Sequence, residues 1–197
     1  MLPGGAWTSS TTYIGDVFTT TGPPYSGPFD PTRVQVTPAG KATLSFSTRD
    51  RGVISYQIGG VVGTKPIQRQ LFGSFSSIPI ANYGDLWWNS SESGWGLSIN
   101  QQYRSLFAVW YTYGADGNPA WFVLPAGTWS GSSTYYGTLY STRAAPVSFW
   151  AGSFDPARVA SSAVGTMSIR FTGLNSAVVT ATIGGTTVTK LISRQPF

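Results

Sequence analysis

The first third of the chain returns at its end, while the stretch between the two copies occurs once. Leu2 to Phe72 (LPGGAWTSSTTYIGDVF…FDPTRV…TKPIQRQLF) aligns with Leu124 to Phe197 (LPAGTWSGSSTYYGTLY…FDPARV…TKLISRQPF). Trp7, Tyr13 and Gly15 match Trp129, Tyr135 and Gly137 at one offset. After a short insertion, Asp30, Arg33, Gly59, Lys65, Arg69 and Phe72 match Asp155, Arg158, Gly184, Lys190, Arg194 and Phe197 at a second. A complete unit therefore spans Tyr83 to Phe197, and Met1 falls level with Val123, so the chain holds one and a half repeats. A repeat that cannot bury its apolar face alone must stack on a neighbour, and the half-unit needs a partner.

Both copies alternate with a period of two. Met167, Ile169 and Phe171 interleave with Thr166, Ser168 and Arg170, as Ala42, Leu44 and Phe46 do with Lys41, Thr43 and Ser45. Such alternation marks half-buried strands. Gly59-Gly60 and Gly184-Gly185 are hairpin turns, and each half-unit reads as about four strands. The single-copy segment adds about four more, at Asp85–Asn89, Gly94–Gln102, Leu106–Tyr113 and Ala120–Leu124, with Asp116-Gly117 as a further turn. About eight antiparallel strands per unit can close into an up-and-down barrel, which removes every edge. The expected class is thus all-β, an antiparallel up-and-down barrel with about twelve strands in the chain. Residues 1–72 form the half-repeat, 73–82 a linker and 83–197 the complete repeat.

Two closures are open. Residues 1–72 can join 83–123 as a permuted barrel, or 83–197 can close alone. Either leaves four strands with exposed edges, so a homodimer through strand sharing is expected.

Composition narrows the chemistry. Only 10% of residues are charged while 15% are aromatic, which suits pleated sheets. Cys and His are both absent. That excludes disulfides, thiol or imidazole catalysis, a Ser-His-Asp triad and His- or Cys-ligated zinc. No cofactor is expected, and any metal must be a hard cation such as Ca²⁺ held by oxygens. The net charge is +5, but its basic residues are dispersed, so nucleic acid is not an expected partner. No apolar run is long enough for a membrane helix. Met1–Gly5 (MLPGG) has neither a basic start nor an apolar stretch, so the chain shows no signal peptide.

The run Tyr83–Leu97 (YGDLWWNSSESGWGL), the aromatic strand Phe107–Tyr113 and Asp116-Gly117-Asn118-Pro119-Ala120-Trp121 resemble a repeat of secreted Gram-negative bacterial proteins with a "WWN, ESGWG, aromatic strand, DxxGxPxW" pattern. The resemblance spans the whole unit. It implies a compact extracytoplasmic β-domain, and it brings no catalytic residues. A looser likeness to avidin-type barrels is architectural.

The WWN…ESGWG hairpin is the candidate site. Trp87, Trp88 and Trp95 with Asn89, Ser91, Ser93 and Glu92 offer stacking faces and hydrogen bonds for a small molecule or glycan, and Trp110 and Tyr111 extend them. The alternative is that these Trp side chains are core. Asp85 and Glu92 flank the hairpin and are candidate carboxylate bases or hard-cation ligands for an ester or phosphoester hydrolase. A purely structural or self-assembling repeat is the third possibility. In FDPxRV, Asp30 and Asp155 are expected to cap backbone amides, with Arg33 and Arg158 in reach of them.

Overall fold

The computed structural model describes residues 4–74, 81–143 and 155–196; most of the expected linker, 75–80, lies outside them. The chain divides into two compact units: Met1–Thr20, Gln35–Leu71 and Ala144–Val159 form one, and Thr21–Val34, Phe72–Arg143 and Ala160–Phe197 the other. Thr21–Val34 belongs to the first copy by sequence yet groups with the second unit. The compact units therefore do not follow the repeat boundary.

The first unit is an open antiparallel sheet of five strands in chain order: β1 (Ala6–Trp7), β2 (Thr12–Thr21), β3 (Gln35–Phe46), β4 (Arg51–Ile58) and β5 (Val61–Gln68). Ala42, Leu44 and Phe46 oppose Tyr56, Ile54 and Gly52 on one face. Pro66 lies in β5, which among the described residues pairs with β4 alone. An edge strand tolerates a residue that cannot donate to a ladder.

The second unit contains β6 (Asp85–Trp88), β7 (Gly96–Gln102), β8 (Ser105–Tyr113), β9 (Pro119–Leu124), β10 (Thr128–Ser130), β11 (Thr134–Arg143), β12 (Ala160–Phe171), β13 (Ser176–Ile183) and β14 (Thr186–Arg194). The pairing runs β11-β12-β13-β14-β6-β7-β8-β9 and returns from β9 to β11, an eight-stranded closed antiparallel barrel with β10 as an extra strand on β11. Of the two possible closures, then, the Tyr83–Phe197 repeat closes by itself. Each seam between duplicated and single-copy quartets is short: Ser193 and Arg194 pair with Trp88 and Trp87, and Tyr140 and Ser141 with Val123 and Phe122.

Alternation fills the barrel. Leu97, Ile99, Leu106, Ala108, Leu124, Tyr135, Leu139, Met167, Ile169 and Val179 are all buried and form one core cluster. Their counterparts on the open sheet include Leu44 for Ile169 and Ile54 for Val179, and both are only half-buried. The same strand pattern is thus covered in one context and partly open in the other. The expected Gly-Gly turns appear with φ of 57° and 81° at Gly59 and Gly60, and 55° and 83° at Gly184 and Gly185. Both central residues are left-handed, the type I′ geometry that follows strand twist. At Asp116-Gly117 only the glycine has positive φ, 75°, and its N–H closes a turn on Gly114 O, so this hairpin uses a different turn.

Candidate functional site

The expected hairpin forms, but it does not gather its tryptophans into a ligand face. Trp87, Trp95 and Trp110 are 0%, 4% and 5% exposed. Trp87 donates its indole N–H to Tyr83 O and meets the Phe171 ring edge-on at 5.6 Å. Trp95 and Trp110 instead border a void with Met167, Val179, Ala181 and Lys190. Trp88 and Tyr111 are half-buried. Tyr111 is raised above the ordinary phenol pKa by burial, and its hydroxyl occupies the space a side chain at Gly96 would need. Asn89 caps a single 3₁₀ turn, Ser90–Glu92, by accepting from Ser91 N at 2.9 Å. Trp87, Trp95 and Trp110 thus belong to the core cluster, and Asn89 caps a turn.

Asp85 and Glu92 do not form a carboxylate pair. Asp85 opens β6 opposite Ile99, whereas Glu92 lies beyond the other end of that strand, in the turn leading to β7. Antiparallel order sends these positions to opposite mouths of the barrel. Glu92 accepts the Trp95 indole N–H at Oε2 (3.0 Å) and the Lys190 ammonium at Oε1 (2.7 Å). Asp85 accepts Arg194 Nη1 at 2.8 Å and Leu86 N at 2.9 Å. The hydrogen bond from Arg194 holds the Asp85 carboxyl below its ordinary value, against the opposing effect of burial.

The chain has seven acidic residues, and each has a structural partner. Besides those two, Asp16 pairs with Lys41 and Asp50 with Arg69. Asp30 and Asp155 cap 3₁₀ turns at Thr32 N and Ala157 N, both at 3.0 Å. Asp116 accepts from Asn118. The capping expected of FDPxRV is present, while neither Arg33 nor Arg158 forms an ion pair with its aspartate among the described residues. No group of three acidic side chains converges among the described residues.

The mouth near Glu92 is closed. Tyr25, on the Thr21–Val34 segment, donates its backbone N–H to Tyr113 O and packs edge-on against Trp110 and Phe122 at 5.5 and 5.4 Å. The voids left beside it measure about 10 Å³ each. That is at most the space of one water. The Trp110 indole N–H and Tyr113 hydroxyl are buried there without hydrogen-bond partners among the described residues.

The opposite mouth holds a cavity of about 220 Å³, lined by Ala81, Tyr83, Gln101, Arg104, Trp129, Ser132 and Ser133. Tyr83 and Trp129 form its aromatic walls, with ring centroids 6.1 Å apart and planes inclined at 37°. Tyr83 is fixed from behind by stacking on Phe171 at 3.7 Å. Arg104 closes the two-residue turn between β7 and β8 with Tyr103, the one non-glycine of positive φ (54°) among the described residues. Holding an aromatic residue in this conformation costs on the order of 1 kcal/mol. Hydrogen bonds hold it: Gln101 Nε2 donates to Tyr103 O at 2.9 Å, and Trp129 Nε1 to Arg104 O at 2.6 Å. The Arg104 guanidinium and the Ser132 and Ser133 hydroxyls make no hydrogen bond or ion pair among the described residues.

Sequence reasoning missed this site. Trp129 is duplicated as Trp7 and so resembled a fold residue, but within its own unit it meets Tyr83 and Arg104 of the single-copy segment. The available signal was the Tyr103-Arg104 turn, which lacks the Gly, Asn or Asp such turns favour. Among family models, curated proteins and solved structures, none matches this chain.

Proposed function

We propose that the chain is a non-catalytic, extracytoplasmic β-barrel module that binds a small molecule or glycan in the Tyr83–Trp129 cavity. The observation that carries this reading is a concave site with two fixed aromatic walls and three polar side chains that have no partner among the described residues. Apolar faces for stacking with a few oriented polar groups are the ordinary makeup of a ligand site. At about 220 Å³ the cavity is below the ~300–1,000 Å³ of drug-sized pockets, which favours a ligand of one ring. The extracytoplasmic setting rests on the low charge and on the resemblance of the WWN…ESGWG run.

The hydrolase reading is weaker because a general base needs an available carboxylate near its substrate. All seven acids are engaged elsewhere, and none lines the cavity. Titration of the full chain with a panel of monosaccharides, followed by ligand-observed NMR, tests the binding reading. Binding that disappears in Trp129→Ala with an unchanged far-ultraviolet spectrum supports it; a panel with no binder removes it.

A second reading, assembly through the open sheet, is favoured by one observation. The face that is buried in the barrel at Ile169 and Val179 is half-buried at Leu44 and Ile54. A homodimer that shares these strands covers that face further.

A further inference from the structure

We propose that the cavity takes an anionic sugar unit, a pyranose bearing a carboxylate or sulfate, with Arg104 as its charge partner. This rests on the ligand-binding reading of the same cavity. The first support is electrostatic. No acid lines the cavity, and the nearest to it along the chain, Asp85, is already bound to Arg194. Among the described residues the site therefore presents one cation and no compensating anion.

The second support is how the cation is held. Arg104 is carried on a turn whose Tyr103 is in the left-handed region, and the indole of Trp129 grips the Arg104 carbonyl oxygen. The backbone that carries the charge is thereby anchored to the stacking wall. A ring lying against Trp129 places a substituent at its edge toward the guanidinium, a planar fork that matches carboxylate and sulfate oxygens. Ser132 and Ser133, in the turn joining β10 to β11, supply hydroxyls that donate to or accept from ring hydroxyls. A neutral sugar satisfies the aromatic walls and the serines but leaves Arg104 without an anion.

The test is calorimetric titration of the full chain with glucuronate, methyl glucoside and a uronate-ended tetrasaccharide, at low and high salt. Glucuronate is expected to bind about tenfold tighter than methyl glucoside, with the gap narrowing at high salt. Arg104→Gln is expected to remove the preference and keep the weak neutral binding, since the glutamine backbone still offers its carbonyl to Trp129. Arg104→Lys should retain part of it. Equal affinity for the two monosaccharides, or a preference that survives in Arg104→Gln, overturns the anionic assignment and leaves the binding reading standing. Binding of neither sugar overturns both. Tighter binding of the tetrasaccharide marks a polysaccharide end as the source of the unit, and equal binding marks the free acid; either supports the proposed chemistry.

Discussion

Lys190 Nζ lies 2.7 Å from Glu92 Oε1, although 98 residues separate them in the chain. The contact joins a duplicated strand to the single-copy hairpin, and it is largely enclosed, with the side chains 19% and 20% exposed. Removing one partner leaves the other charge poorly solvated, which costs more than the pair is worth. Glu92→Gln and Lys190→Met should each lower stability by about 1–3 kcal/mol. The double variant should lose less than the sum of the two, a coupling read from urea denaturation of all four proteins. Simple additivity would show that the two residues act independently.

Arg194 secures one seam of the barrel. Its guanidinium donates to Asp85, to the carbonyls of Asn82, Gly84 and Leu174 and to the Asn175 side chain, and stacks over Trp87 at 5.2 Å. A lysine cannot reproduce that fork. Arg194→Lys is expected to destabilise by about 2 kcal/mol in chemical denaturation. The matching substitution Arg69→Lys, at a half-exposed ion pair with Asp50, should cost well under half as much. Similar losses at both positions would contradict the seam role.

Asp85 makes stability depend on pH in the acid range. Its carboxyl is depressed below the ordinary 3.8, so the folded state releases this proton more readily than the unfolded chain. The contribution is complete above the unfolded value and is lost as pH falls through the lower folded one. Thermal melts from about pH 5 down to about pH 2 should show wild type converging on Asp85→Asn. A constant gap between the two curves would rule out Asp85 as the source.

Tyr25 packs over the mouth whose described voids are only about 10 Å³. Tyr25→Ala removes the ring that packs on Trp110 and Phe122. A loss of about 2–4 kcal/mol is expected, with a red-shifted tryptophan emission as water reaches Trp110. Binding at the Tyr83–Trp129 cavity should persist, because that site opens at the other end.

Light scattering across a concentration series tests assembly. A strict monomer at every concentration would remove the shared-strand homodimer.

The barrel was legible because its signals are local. Period-two alternation at Met167, Ile169 and Phe171, the Gly-Gly turns and the strand count all follow from short-range geometry, and the duplication exposed the half-unit. Two things were not legible. Neighbours in sequence can face opposite mouths, so Asp85 and Glu92 looked like a pair until the register of β6 and β7 separated them. The Tyr83–Trp129 cavity depends on side chains brought together by barrel closure, and no short-range pattern records which turns meet at one mouth. The tryptophans of the WWN…ESGWG run attracted a ligand reading through residue type alone, whereas type serves burial equally well.

The repeated meander makes the molecule its own reference experiment. Leu44 and Ile169 occupy equivalent places in sister strands, one in an open sheet and the other in a closed ring. Their amides share the same solvent, temperature and protein concentration in a single hydrogen-exchange sample. The difference between their protection factors therefore measures what ring closure contributes to local stability, without a mutation and without a second protein.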